Sequence, residues 1–208
     1  MKTIVLATNN AHKVAEISTA LDFPGWEFKT LRELGIESDP AEDADTFEGN
    51  ARIKAAAAHA ASGGLAALAD DSGLEVDALG GGPGVYSARY ASTDGTCDDA
   101  ANNAKLLREL ADVADADRTA RFVSTLVFID EDGTERVARG TIEGRIGYEL
   151  QGEGGFGYDP LFWPDVFEGA CTLAEVPQSR KNEVSHRGNA LRALRAQIEA
   201  ENATGAQD

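Results

Sequence analysis

Residues 4–21, IVLATNNAHKVAEISTAL, carry the choice of fold class. The apolar run Ile4-Val5-Leu6-Ala7-Thr8 reads as a buried strand that ends at Asn9-Asn10. Val14, Ile17 and Leu21 then recur at helical spacing. Strand, polar turn and helix in that order predict an α/β domain. Phe23-Pro24-Gly25 closes the helix, and residues 26–31 alternate as a second strand. Residues 46–62 are dominated by alanine and predict a long helix stopped by Gly63-Gly64. Residues 65–69 read as a short buried strand whose polar end is Asp70-Asp71-Ser72-Gly73.

Further along, Gly80-Gly81-Gly82-Pro83-Gly84 is a turn cluster, and Asp98 is a good N-cap for a helix through Leu106, Leu107 and Leu110. Residues 121–130 form the clearest strand; Asp132-Gly133 turns it back into a strand over residues 136–142. The sheet is therefore expected to be mixed. A last helix is predicted over residues 187–199 from the spacing of Leu191, Leu194 and Ile198. Residues from 202 onward read as a frayed tail. With no internal repeat and no long linker, residues 1–202 are expected to make a single domain, with 203–208 a disordered tail.

The chain has 208 residues, 42% of them hydrophobic, and only six prolines, enough for a substantial core. Thirty-six acids against 19 bases give a net charge of −17, which disfavours nucleic acid or an anionic membrane as partner. Cys97 and Cys171 are too few for a disulfide scaffold, and no apolar run reaches the roughly 20 residues of a membrane span. The N-terminal apolar stretch is too short for a signal peptide, so a soluble protein of a reducing compartment is expected.

Four polar segments fall at ends of predicted elements, where open α/β sheets place ligands. Thr8-Asn9-Asn10-Ala11-His12-Lys13 hands a strand to a helix N-terminus, which favours an anion, and Lys13 adds a cation. It lacks the glycines of a Walker loop. In Asp70-Asp71-Ser72-Gly73, neighbouring side chains point to opposite faces, so one carboxylate can face a cleft and hold Mg²⁺. Residues 35–50 carry Glu37, Asp39, Glu42, Asp43, Asp45 and Glu48 with no base, and Lys54 is the nearest cation. The fourth segment runs from Gly152 through Phe156 and Asp159 to Pro160, followed by Lys181 and Ser185-His186-Arg187. Between Ser179 and Arg195, five bases face one acid, an anion attractor in an acidic chain. Glycines beside Phe156 let backbone approach a flat ligand on which the ring can stack. Each segment, taken alone, also fits a structural use: a helix cap, a turn, a hydrated acidic face, a tight glycine loop.

Six stretches carry a more specific signal: residues 8–13 (TNNAHK), 46–51 (TFEGNA), 69–74 (ADDSGL), 83–90 (PGVYSARY), 154–160 (GGFGYDP) and 185–188 (SHRG). In this order, over nearly the whole length, the chain resembles the Ham1 family of non-canonical purine nucleoside triphosphate pyrophosphatases, the inosine triphosphate or XTP/dITP diphosphatases. Two departures stand out: Asn9 where bacterial members often have glycine, and Gly49 where a second glutamate is common.

The resemblance implies an elongated mixed sheet flanked by helices, of the Ham1 and Maf type, in two lobes with the active-site cleft between them. It also implies a cytoplasmic homodimer that uses Mg²⁺ to hydrolyse ITP, dITP and XTP to the monophosphate and pyrophosphate. Carried onto this chain, Thr8, Asn9, Asn10, Ala11, His12 and Lys13, with Lys54, hold the triphosphate. Asp71 is proton acceptor and metal ligand, Glu42 is the second metal carboxylate, and Ser72 contacts substrate. Phe156, Gly157, Tyr158, Asp159, Lys181, His186 and Arg187 form the nucleoside and base pocket. Two other readings stay open on the sequence: a related pyrophosphatase for standard or methylated nucleotides, and a nucleotide sensor without catalysis.

Overall fold

A computed structural model describes residues 1–205 except Asn9 and Asp94, with the backbone alone for Ala11, His12, Asn182, Thr204 and Gly205. Strand β1 (Lys2–Leu6) leads into helix α1 (Ala11–Ala20) and strand β2 (Trp26–Thr30). Helix α2 (Phe47–Ala61) precedes strand β3 (Ala66–Val76), and α3 (Asp99–Glu109) precedes β4 (Thr119–Ile129) and β5 (Glu135–Ile146). The chain ends with β6 (Phe162–Pro164), α4 (Gln178–Val184) and α5 (His186–Gly205).

The six strands run in the order β2-β1-β3-β4-β5-β6. β1 pairs in parallel with β2, Lys2 opposite Trp26, and with β3, Ile4 opposite Ala66, while β5 and β6 pair antiparallel. The sheet is mixed, as expected: parallel neighbours need the α1 and α2 crossovers, whereas β4 and β5 join through a tight turn in which Gly133 N–H donates to the Asp130 carbonyl.

Two compact units each have their own core. The first comprises Met1–Asp71, Ser124–Gly140 and Arg187–Asp208. Ile4 and Leu6 pack there with Ile17 and Leu21 of α1 and with Leu191, Leu194 and Ile198 of α5, so the periodicities of both helices are explained by one core. Trp26 stacks on Phe128 at 5.5 Å. The second comprises Ser72–Val123 and Thr141–His186 and gathers Leu74, Val76, Leu106, Leu110, Phe122, Ile146 and Phe162. Within it the buried guanidinium of Arg118 donates to the carbonyls of Leu110, Ile146 and Gly147 at 2.6, 2.9 and 2.7 Å, tying the end of α3 to the end of β5. Strands β3, β4 and β5 each contribute residues to both units.

Three elements differ from expectation. β3 does not stop at Ala69 but runs on through Asp70-Asp71-Ser72-Gly73 to Val76, and both carboxylates find cationic partners elsewhere in the chain, Arg187 for Asp70 and Lys54 for Asp71. β5 extends to Ile146, past residue 142, because Gly144, Arg145 and Ile146 pair with β6. α5 begins one residue early and continues to Gly205, so residues 202–205 are helical; residues 206–208 lie outside the described ones. Among the described residues, no helix is long and apolar enough to cross a membrane. Cys97 and Cys171 are free thiols.

Candidate active site

In the first unit the site starts where β1 meets α1. The Asn10 side chain accepts the Lys13 backbone N–H at 3.2 Å, and Thr8 Oγ1 accepts the Asn10 N–H at 3.2 Å, so Asn10 is the N-cap. The cap sets Lys13 in the first helical turn, from which its Nζ reaches Asp70 Oδ2 at 2.8 Å. Asn9, expected to bind phosphate, lies outside the described residues, as do the side chains of Ala11 and His12.

Alternation along β3 separates the two aspartates as the sequence predicts. Asp70 is buried: Oδ1 accepts from Ser124 Oγ at 2.6 Å, and Oδ2 accepts from Arg187 Nε at 3.1 Å as well as from Lys13. Burial opposes its charge, but Lys13 and Arg187, with the hydrogen bonds from Lys13 and Ser124, hold the carboxyl well below the usual carboxylate range. Arg187 is itself buried and donates from Nη1 to Glu16 Oε2 at 2.7 Å. Burial works against its charge too, yet Asp70 and Glu16 hold its pKa above the ordinary value.

Asp71 faces a different set. Its Oδ1 accepts from Lys54 Nζ at 2.7 Å, and the same ammonium donates to Glu42 Oε2 at 2.9 Å. Burial pushes the Asp71 carboxyl up, against the pull of Lys54. Burial lowers the Lys54 ammonium, but Asp71 and Glu42 outweigh it and raise its pKa. Two carboxylates thus converge on one cationic point. Glu42 is held in reach by the loop before α2: Asn50, buried in the helix, accepts the Ala44 N–H at 3.0 Å. A Cβ at position 49 would stand 2.5 Å from the Ala44 Cβ, so Gly49 is what lets this loop close on α2. Glu42 and the other acids of residues 35–50 are all exposed, as expected of a hydrated run.

Glu42 and Asp71 suit a hard cation, since Mg²⁺ takes one or two protein carboxylates and completes its shell with water and phosphate oxygens. Among the described residues, no cluster of three or more His, Cys, Asp or Glu side chains is placed to hold a metal. A Mg²⁺ here would complete its shell with water and substrate oxygens.

The second unit carries Ser72, beside Asp71 in β3, and the aromatic loop. Phe156 is 56% exposed; its N–H donates to Asp159 Oδ2 at 3.0 Å, and Lys181 Nζ meets the same oxygen at 2.5 Å. The Lys181 ammonium lies 5.6 Å from the Phe156 ring centroid. Burial pushes the Asp159 carboxyl up, against the attraction of Lys181. Tyr158 is buried and its hydroxyl donates to the Ser87 carbonyl at 2.8 Å, while His186 stacks on Phe122 at 5.1 Å.

The first unit therefore forms two clusters, Lys13 and Arg187 around Asp70 and Lys54 and Glu42 around Asp71, and the second brings together Phe156, Gly157, Tyr158, Asp159 and Lys181. Arg187, expected beside the base, sits with Asp70 and Glu16. Glu16 and Ser124 were not foreseen as site residues. Glu16 stands three residues after Lys13 on one helix face, and Ser124 is a hydroxyl inside an apolar strand; both signals were in the sequence, but their partner was not.

The match to known proteins covers almost the whole chain. The model of the Ham1 family fits residues 4–197. A dITP/XTP pyrophosphatase of Lactiplantibacillus plantarum is 49% identical over 193 residues, 93% of each chain. One from Haemophilus influenzae is 48% identical over 94% of this chain and 98% of its own. The Staphylococcus aureus Ham1 protein superposes with a TM-score of 0.87 at 40% identity, covering 96% of this chain and all of that one. The chain belongs to the Ham1 family.

Proposed function

We propose that this protein is a nucleoside triphosphate pyrophosphatase that hydrolyses dITP, XTP and ITP between the α- and β-phosphates, releasing the monophosphate and pyrophosphate. The relatives named dITP/XTP pyrophosphatase support the reaction class. The observation that carries it on this chain is the convergence of Asp71 and Glu42 on the Lys54 ammonium. A polyphosphate repels an incoming water unless its charge is neutralised first. Lys13 and the α1 N-terminus receive phosphate oxygens, and Lys54 is positioned to exchange a carboxylate partner for one. Asp71 orients the attacking water and takes its proton. Asp71 and Glu42 would hold Mg²⁺, which when bound neutralises phosphate charge and polarises the phosphoryl oxygen.

For the base, Phe156 offers a half-exposed ring for stacking. The 6-keto group of hypoxanthine or xanthine is an acceptor, whereas adenine presents a 6-amino donor, so a pocket built of donors selects the former by about 1–3 kcal/mol per mismatched group. Lys181 and His186 are the donors we assign to it. Arg187 acts through Asp70. A homodimer is the expected assembly, and light scattering at micromolar protein would test it.

The deciding experiment incubates the protein with Mg²⁺ and, separately, dITP, XTP, ITP, dATP and dGTP, and follows the products by phosphorus NMR. Pyrophosphate is expected from the first three. Orthophosphate as first product would overturn the reading, and saturable binding without any cleavage would favour the sensor. Chelation by EDTA is expected to lower the rate at least about 100-fold, with recovery on adding Mg²⁺.

A further inference from the structure

Helix α3 grips the aromatic loop by both polar groups of one residue. The Gly157 N–H donates to Asp99 Oδ2 at 2.7 Å, and the Gly157 carbonyl accepts from Asn103 Nδ2 at 2.9 Å. Asp99 and Asn103 are four residues apart and so share one helix face. Gly157 has φ +61°, a left-handed conformation that favours glycine. On the other side of the ring residue, the Phe156 N–H is held by Asp159, and the Phe156 carbonyl accepts the Asp159 N–H at 3.3 Å.

Every peptide flanking Phe156 is therefore tied down, although its ring is more than half exposed and has no core to hold it. A ring left loose would lose that freedom on meeting a ligand, at a cost in affinity. Asn103 is 5% exposed and its Oδ1 has no hydrogen-bond partner among the described residues, so the bond to Gly157 is what its side chain supplies here.

We infer that Asp99 and Asn103 are positioning residues for base recognition, presetting the loop so that Phe156 meets a flat heterocycle in one pose. The inference rests on the pyrophosphatase reading above. Asp98 caps α3 by accepting the Ala101 N–H at 3.0 Å, so Asp99→Ala leaves the cap in place.

The test measures KM and kcat for dITP together with inhibition by inorganic tripolyphosphate, which has the phosphates and no base. In Asp99→Ala and Asn103→Leu, KM for dITP is expected to rise about tenfold with kcat within about twofold, and the tripolyphosphate inhibition constant to stay put. Asp99→Asn, which keeps an acceptor oxygen, is expected to restore most of the affinity, and Asn103→Leu to melt no lower than the parent. An unchanged KM in both variants overturns the inference. So does a parallel rise in KM and in the tripolyphosphate constant, which would mean general damage. A parent protein inert toward dITP overturns the proposed function and this inference together, whereas an active parent with unaltered variants overturns the inference alone.

Discussion

Asp71→Asn is expected to lower kcat for dITP by about 10³-fold or more while leaving nucleotide affinity within about threefold. The substitution is isosteric. The amide oxygen can still accept from Lys54, which Asp71 Oδ1 now does at 2.7 Å, so the phosphate-facing cations keep their places. Under the proposed function, what is lost is the negative charge that would take the proton of the attacking water and the second hard oxygen that would hold Mg²⁺ beside Glu42. Single-turnover cleavage of dITP and calorimetric titration in Ca²⁺ separate the two effects. Turnover within tenfold of the parent, or lost binding with chemistry intact, would remove Asp71 from the reaction.

Asp70→Asn should act on the fold as well as the rate, costing about 3–5 kcal/mol of stability at neutral pH. The Ser124 hydroxyl can still donate to one side of the group. Whichever way the amide turns, Lys13 and Arg187, now 2.8 and 3.1 Å from a carboxylate oxygen, lose the negative charge they share. The cost depends on pH in a defined direction. The folded-state carboxyl titrates lower than the unfolded one, so its stabilising effect is complete above the unfolded value of about 4 and fades as pH falls toward the folded value. Denaturant titrations of parent and variant at pH 7 and pH 3 are expected to show a wide gap in the first and a narrower one in the second. A gap that is constant or grows on acidification would mean that Asp70 is not held as the charged form.

Much of the fold could be read along the chain because its signals are local. Asp98 caps α3 as its side chain predicts, and Thr46, read as the first helical residue, caps α2 by accepting the Gly49 N–H. The turn at Asp132-Gly133 falls where the dipeptide places it. The elements that escaped have no local signature. β6 is three residues long with a proline, and only pairing with Gly144, Arg145 and Ile146 makes it a strand. α4 has seven residues, too few for a periodicity to show.

The candidate site divides in the same way. Lys13, Lys54, Asp71 and the Phe156 loop announce themselves through residue type beside a helix start, a strand or a glycine turn, since backbone geometry over a few residues sets how such groups are presented. Which aspartate is buried, and with whom, has no such local cause. Asp70 meets Ser124 across 54 positions and Arg187 across 117, and Arg187 meets Glu16 across 171. Those partners are brought together by the packing of β3, β4, α1 and α5, and a buried charge keeps its ionised form only where that packing delivers counter-charges to it.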